Sequence, residues 1–187
     1  MQDGLAIFAC VYEEAGQWWM WVQSGGFVIR WGAKLGSEAT PNYSEPPTEP
    51  GINCADARAA IHDLQASVQA GGRIVTGTWF MHEAIVQHEL FHVDVLDQYC
   101  QDTFSAIQDL IENHALGPSS IGRTAAEEQM LLYIQYTAIP EWKLSIQAEA
   151  AAGEAQEEVD ARSREVAVLN PVIASLEAWA TAHNCPP

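Results

Sequence analysis

The sequence predicts an α+β fold: a small antiparallel sheet, packed on a long amphipathic helix and followed by a mostly helical C-terminal half. Three observations lead there. Residues 4–34 alternate short β-rich runs with turn residues. Residues 81–99 keep a helical period with one polar side. From residue 104 onward the chain reads as successive helices punctuated by Gly and Pro.

The chain has 187 residues, enough for one domain with a real core. Its 48% apolar and 18% charged content reads as globular rather than disordered. A formal charge of −17 speaks against nucleic acid or an anionic membrane surface as partner. A cationic substrate, or simple solubility, fits better. No apolar run has the length of a membrane span. The start, Met1-Gln2-Asp3-Gly4, has no basic region of the signal-peptide kind. A mature exported chain, or a piece of a longer protein, is the expectation. Four cysteines, Cys10, Cys54, Cys100 and Cys185, lie far apart. Two disulfides or four reduced thiols both fit.

Leu5 to Tyr12 reads as a first strand and Glu13 to Gly16 as a turn. Gln17 to Val22 reads as a second strand, Ser24-Gly25-Gly26 as a hairpin turn, and Phe27 to Trp31 as a third strand. Trp18, Trp19, Trp21 and Trp31 are expected in the core or in cross-strand pairs, with an aromatic binding surface as the sharper alternative. Residues 35–53, with Pro41, Pro46, Pro47 and Pro50, read as a long loop. Cys54 to about Ala70 is a helix ended by Gly71-Gly72. Arg73 to Phe80 reads as a strand. The helix over 81–99 is expected to end or bend near Cys100 to Thr103, where Asp102 or Thr103 caps a new helix to about Asn113. Thr124 to about Ala138 is a helix stopped by Pro140, and a further helix covers Glu141 to about Ala152. Residues 153–166 are charge-rich and read as a solvated helix or linker. Asn170-Pro171 then opens a last helix to about His183. The expected division is a domain over 1–152 and a helical extension over 153–187, packed on the same domain.

The chemistry sits at His88-Glu89-Leu90-Phe91-His92, an H-E-x-x-H pentad. Residues four apart on a helix lie one turn above each other, so His88 and His92 can offer two imidazoles to one ion. Glu89 projects beside them. At about 100° per residue, all three fall on the apolar side with Met81, Ile85, Val95, Leu96 and Tyr99. Burying three titratable groups is costly unless something satisfies them, and Zn²⁺ suits such donors. Two satisfied core histidines are the competing reading.

This stretch resembles the active-site helix of the zincin metallopeptidases. Ile85, Val86, Leu90, Phe91 and Val93 agree with the family's uncharged flanks, and Asp94 departs from them. The resemblance covers about 20 residues and no more of the chain. It implies a sheet above the helix whose edge strand pairs with an extended substrate. It also implies zinc, with Glu89 as the general base that takes a proton from the metal-activated water and returns it to the leaving amine.

A catalytic zinc normally takes three protein ligands. Val95 and Gln98 exclude the extended metzincin pattern. As in gluzincins, a later glutamate is then expected, and Glu128 leads because it shares a helix side with Ile121 and Leu132. Glu127 and Glu112 follow, the latter discounted because nothing between residues 93 and 113 breaks the helix. Tyr133 and Tyr136, ahead of His114, are candidates to steady an oxyanion. The expected activity is zinc-dependent peptide hydrolysis on a peptide or protein substrate. A secreted effector or toxin aimed at one protein target, and a non-catalytic metal-binding domain, are the alternatives.

Overall fold

A computed structural model describes residues 2–30, 52–71 and 79–187. Most of the expected loop over 35–53, most of the strand over 73–80, and Trp31 at the end of the expected third strand fall outside these residues. The α+β class holds: two long strands open the chain, a short third strand joins them after two helices, and the rest is mostly helical. The chain divides into two compact units, Met1–Trp31 with Asp94–Glu154, and Gly32–Val93 with Ala155–Pro187.

In the first unit, β1 (Gln2–Glu14) and β2 (Gln17–Arg30) form one long ribbon closed at Ala15-Gly16. Ala15 and Gly16 both take positive φ, as a tight hairpin of this twist requires. The expected third strand is the far half of β2, because Ser24-Gly25-Gly26 does not turn. Phe8 pairs with Ser24 and Ala9 with Val22, so Gln23 is the extra residue of a β-bulge. Gly25 serves a close approach instead: a Cβ there would run into the Phe104 ring.

The strands alternate as a half-buried sheet should. Leu5, Ile7, Ala9 and Val11, with Trp18, Met20 and Val22, pack into the core. Phe8, Tyr12 and Trp21 stand exposed while Trp18 packs on the core, so the described tryptophans of the ribbon divide between core and surface. The third strand proper is β3 (Gly117–Pro118), which pairs with Gln17 and Trp18.

Helix α2 (His82–Glu112) is continuous for 31 residues, against the expected break near residue 100. Thr103 explains this. Its hydroxyl donates to Tyr99 O at 2.7 Å and accepts from Trp142 Nε1 at 2.8 Å, so it is held inside a helix rather than capping one. Helix α3 (Arg123–Tyr133) runs through a π-helical turn (Ile134–Ala138) into α4 (Ile139–Ala182). Pro140 therefore does not stop the helix. The π turn, with Ile139 N–H donating to Ile134 O, loosens the ladder just before a residue that can donate nothing. Pro171 likewise lies inside α4 rather than opening a new helix. Leu169, Ile173, Leu176 and Ala180 on either side of it are buried, and that packing outweighs the lost hydrogen bond.

In the second unit α1 (Cys54–Gln69) starts at Asn53, whose side chain accepts from Asp56 N–H at 2.9 Å. It ends before Gly71 at φ +76°. Ala60, Ile61 and Leu64 of α1 share a core with Ala84 of α2 and the buried residues of α4. Cys54 and Cys185 form one disulfide across 131 residues, where two or none were expected, and Cys10 and Cys100 stay outside any disulfide. Among the described residues no helix is long and apolar enough to cross a membrane.

Candidate metal centre

The helical period of residues 82–92 places His88 in the interior at 2% exposure, with His92 one turn on and partly open to solvent. Their Nε2 atoms lie 3.3 Å apart. Two donors about 2.05 Å from a tetrahedral ion sit about 3.3 Å from each other, so this is the spacing a shared ion needs.

The third group of the cluster is Glu158 of α4. Its Oε2 lies 3.8 Å from His88 Nε2 and 3.6 Å from His92 Nε2. With the 3.3 Å side, these distances place a point about 2.1 Å from all three atoms, the length of a zinc–nitrogen or zinc–oxygen bond. His88, His92 and Glu158 form the one His/Cys/Asp/Glu group among the described residues with ligand atoms gathered for a metal ion. Two imidazoles and a carboxylate are a donor set for zinc and for other divalent transition ions, and the residues fit such an ion.

Two more carboxylates stand behind the rings. Glu165 Oε2 lies 3.3 Å from His88 Nδ1, and Glu157 Oε2 lies 3.9 Å from His92 Nδ1. A carboxylate on the far nitrogen fixes a ligand histidine's tautomer and orientation. Glu165 is 4% exposed, so it is committed to this place. Beside the site, the Arg164 guanidinium lies over the Phe91 ring, 4.7 Å from its centre, and Phe91 meets His92 edge-on.

All these residues belong to the second unit. Glu89 is there too, half-buried on the same turn as His88. The residues that were expected to complete the site lie in the first unit. Glu128 is exposed on α3. Glu127 accepts from Arg123 Nε at 2.8 Å on the same helix. Glu112 Oε1 accepts from Val22 N–H at 3.0 Å, next to the bulge of β2. None of the three is in the His/His/Glu group.

Tyr133 stacks on His114 at 3.8 Å, beside a cleft of about 450 Å³ that Asp109, Leu110 and Asn113 also line. Burial, then the Glu141 carboxylate, holds its phenol above the ordinary tyrosine pKa. Tyr136 is exposed.

Sequence reasoning missed Glu158 because it lies in a charge-rich run. A signal was present nonetheless. Counting back from Ala180 in steps of three and four gives Leu176, Ile173, Leu169, Glu165, Ala161 and Glu158. Leu176, Ile173, Leu169, Glu165 and Ala161 are all buried, so the apolar stripe of the last helix continues inward through two acids.

No family model matches the chain, and no curated protein or solved structure compared with it matches either. The chain therefore holds a histidine pair at H-E-x-x-H spacing, with a glutamate placed to share a metal ion.

Proposed function

We propose that this protein is a zinc-dependent metallopeptidase of the zincin kind. His88, His92 and Glu158 hold the ion and Glu89 acts as general base. The observation that carries the reading is the triangle of Nε2, Nε2 and Oε2 atoms around one point at metal-bond distance. Zinc in such a site lowers the pKa of a bound water to about 7 and polarises a carbonyl oxygen.

The chain's own residues do the rest. Glu165 Oε2 lies 3.3 Å from His88 Nδ1, without the geometry of a hydrogen bond, and its charge favours the ring orientation that turns Nε2 toward His92 and Glu158. His92 and Glu158 are both partly solvent-exposed, so water and a substrate would have access to an ion held there. Glu89 takes a proton from the attacking water and delivers it to the leaving nitrogen. The acidic chain favours basic peptides near the site.

A second reading is a metal that staples α2 to α4 without hydrolysis. The deep burial of His88 and Glu165 favours it. One experiment separates the two. Metal content is measured by plasma mass spectrometry, and cleavage of a peptide library is followed in parallel. Wild type is expected to carry close to one zinc and to cleave. Glu89→Gln is expected to keep the zinc and lose turnover by about 10²-fold or more. Glu158→Ala should lose the metal, and Glu128→Ala should keep it. Zinc without cleavage in the wild type selects the staple. Tyr133→Phe and Tyr136→Phe belong in the same assay, where lost turnover at full metal content identifies an oxyanion donor.

A further inference from the structure

We propose that Arg162 is a positioning residue for the metal centre: it holds Glu158 as a one-oxygen ligand and so keeps a coordination position open. This role rests on the metal-site reading above. Glu158 divides its two oxygens. Oε1 accepts from Arg162 Nε at 2.8 Å, while Oε2 faces the two histidine nitrogens at 3.8 and 3.6 Å.

A carboxylate binds a cation through one oxygen or two. In a three-ligand zinc site, the second oxygen would compete for the place a water or substrate needs. A guanidinium on that oxygen removes the competition. Its charge is permanent and its donors form a rigid fork, so it directs a carboxylate as a lysine ammonium does not.

The fold supports Arg162 in this place. One helical turn separates it from Glu158, which puts both on the same side of α4. Its stem also runs against the end of α1. A Cβ on Gly71 would lie 3.7 Å from Arg162 Cδ and 3.9 Å from a terminal nitrogen. These are ordinary van der Waals distances, so Gly71 is required by its positive φ and not by the arginine.

An exposed pair four residues apart contributes little by itself. The Arg123–Glu127 pair has the same spacing and the same 2.8 Å distance, and its glutamate faces no histidine pair of the metal group. It serves as the internal control.

The test uses the full chain stripped of metal. Zinc affinity is measured against a competing chelator, and cobalt(II) is added under visible spectroscopy, where absorption weakens as coordination number rises. Arg162→Gln is expected to bind zinc on the order of tenfold more tightly, because Glu158 gains a second donor oxygen and loses a neighbouring cation. Its cobalt absorption should fall, as Glu158 closes on the ion with both oxygens. Arg162→Lys should lie between it and wild type, and Arg123→Gln should match wild type in both measurements. Melting curves report folding of each variant. Should Arg162→Gln not fold, the lysine variant decides: a cobalt spectrum and zinc affinity equal to wild type overturn the proposal. The same result in a folded Arg162→Gln also overturns it. A wild type that takes up no metal removes the centre itself, and this role with it.

Discussion

At the scale of single residues, three carboxylates surround two imidazoles. Glu158 faces both Nε2 atoms, while Glu165 and Glu157 lie behind the rings. Glu165→Gln keeps the volume but not the charge opposite His88. It should lower zinc affinity by about 10- to 100-fold, read by chelator competition. Tyr133 gives a separate prediction. Its phenol is neutral in the fold above the pH at which a free tyrosine ionises. Between the unfolded and folded pKa the native chain holds the extra proton, so its stability falls as pH rises through that window. Denaturant titrations above about pH 10 should show this slope, and Tyr133→Phe should flatten it.

At the scale of elements, the sequence errs in one direction: it divides what the fold keeps whole. Ser24-Gly25-Gly26 has turn composition, and a hairpin there is what local propensity favours. Pairing with thirteen residues of β1 keeps β2 extended instead, and Gly25 admits the Phe104 ring. Gly25→Ala should therefore destabilise by about 1–3 kcal/mol in urea unfolding, through overpacking. Adding Phe104→Ala should make the glycine substitution nearly neutral, a coupling that a double-mutant cycle isolates. Pro140 and Pro171 tell the same story for helices. A helix with Leu169, Ile173 and Leu176 buried does not yield to one missing donor. Leu169→Ala should cost about 2–5 kcal/mol and weaken zinc binding, because the same stripe carries Glu165 and Glu158.

At the scale of the whole molecule, two units carry two cores, and α2 and α4 each contribute to both. The disulfide belongs to one unit alone. Cys54 opens α1, Cys185 follows α4, and Arg58 donates to the carbonyls of Cys185 and Pro186 at 2.9 Å. Closing a loop of 131 residues stabilises by about 4–5 kcal/mol on the chain-entropy account. Reduction should speed hydrogen exchange in α1 while leaving protection in the β1–β2 ribbon unchanged. Equal loss of protection in both would contradict a division into separate compact units.

Local sequence suffices for the fold class, the first strand and its turn, the bounds of α1 and the spacing of the histidine pair. Each follows from local period or a local cap, and none needs a distant partner. The continuity of Thr103, Pro140 and Pro171 within helices was decided by tertiary contacts, because a polar or donor-free residue is tolerated only where its surroundings satisfy it. The candidate third donor was decided there too. Seventy residues separate Glu158 from His88. Only the packing of α4 in the second unit turns an acid from a charged run toward two imidazoles, since a carboxylate goes inside a fold where partners repay its lost hydration.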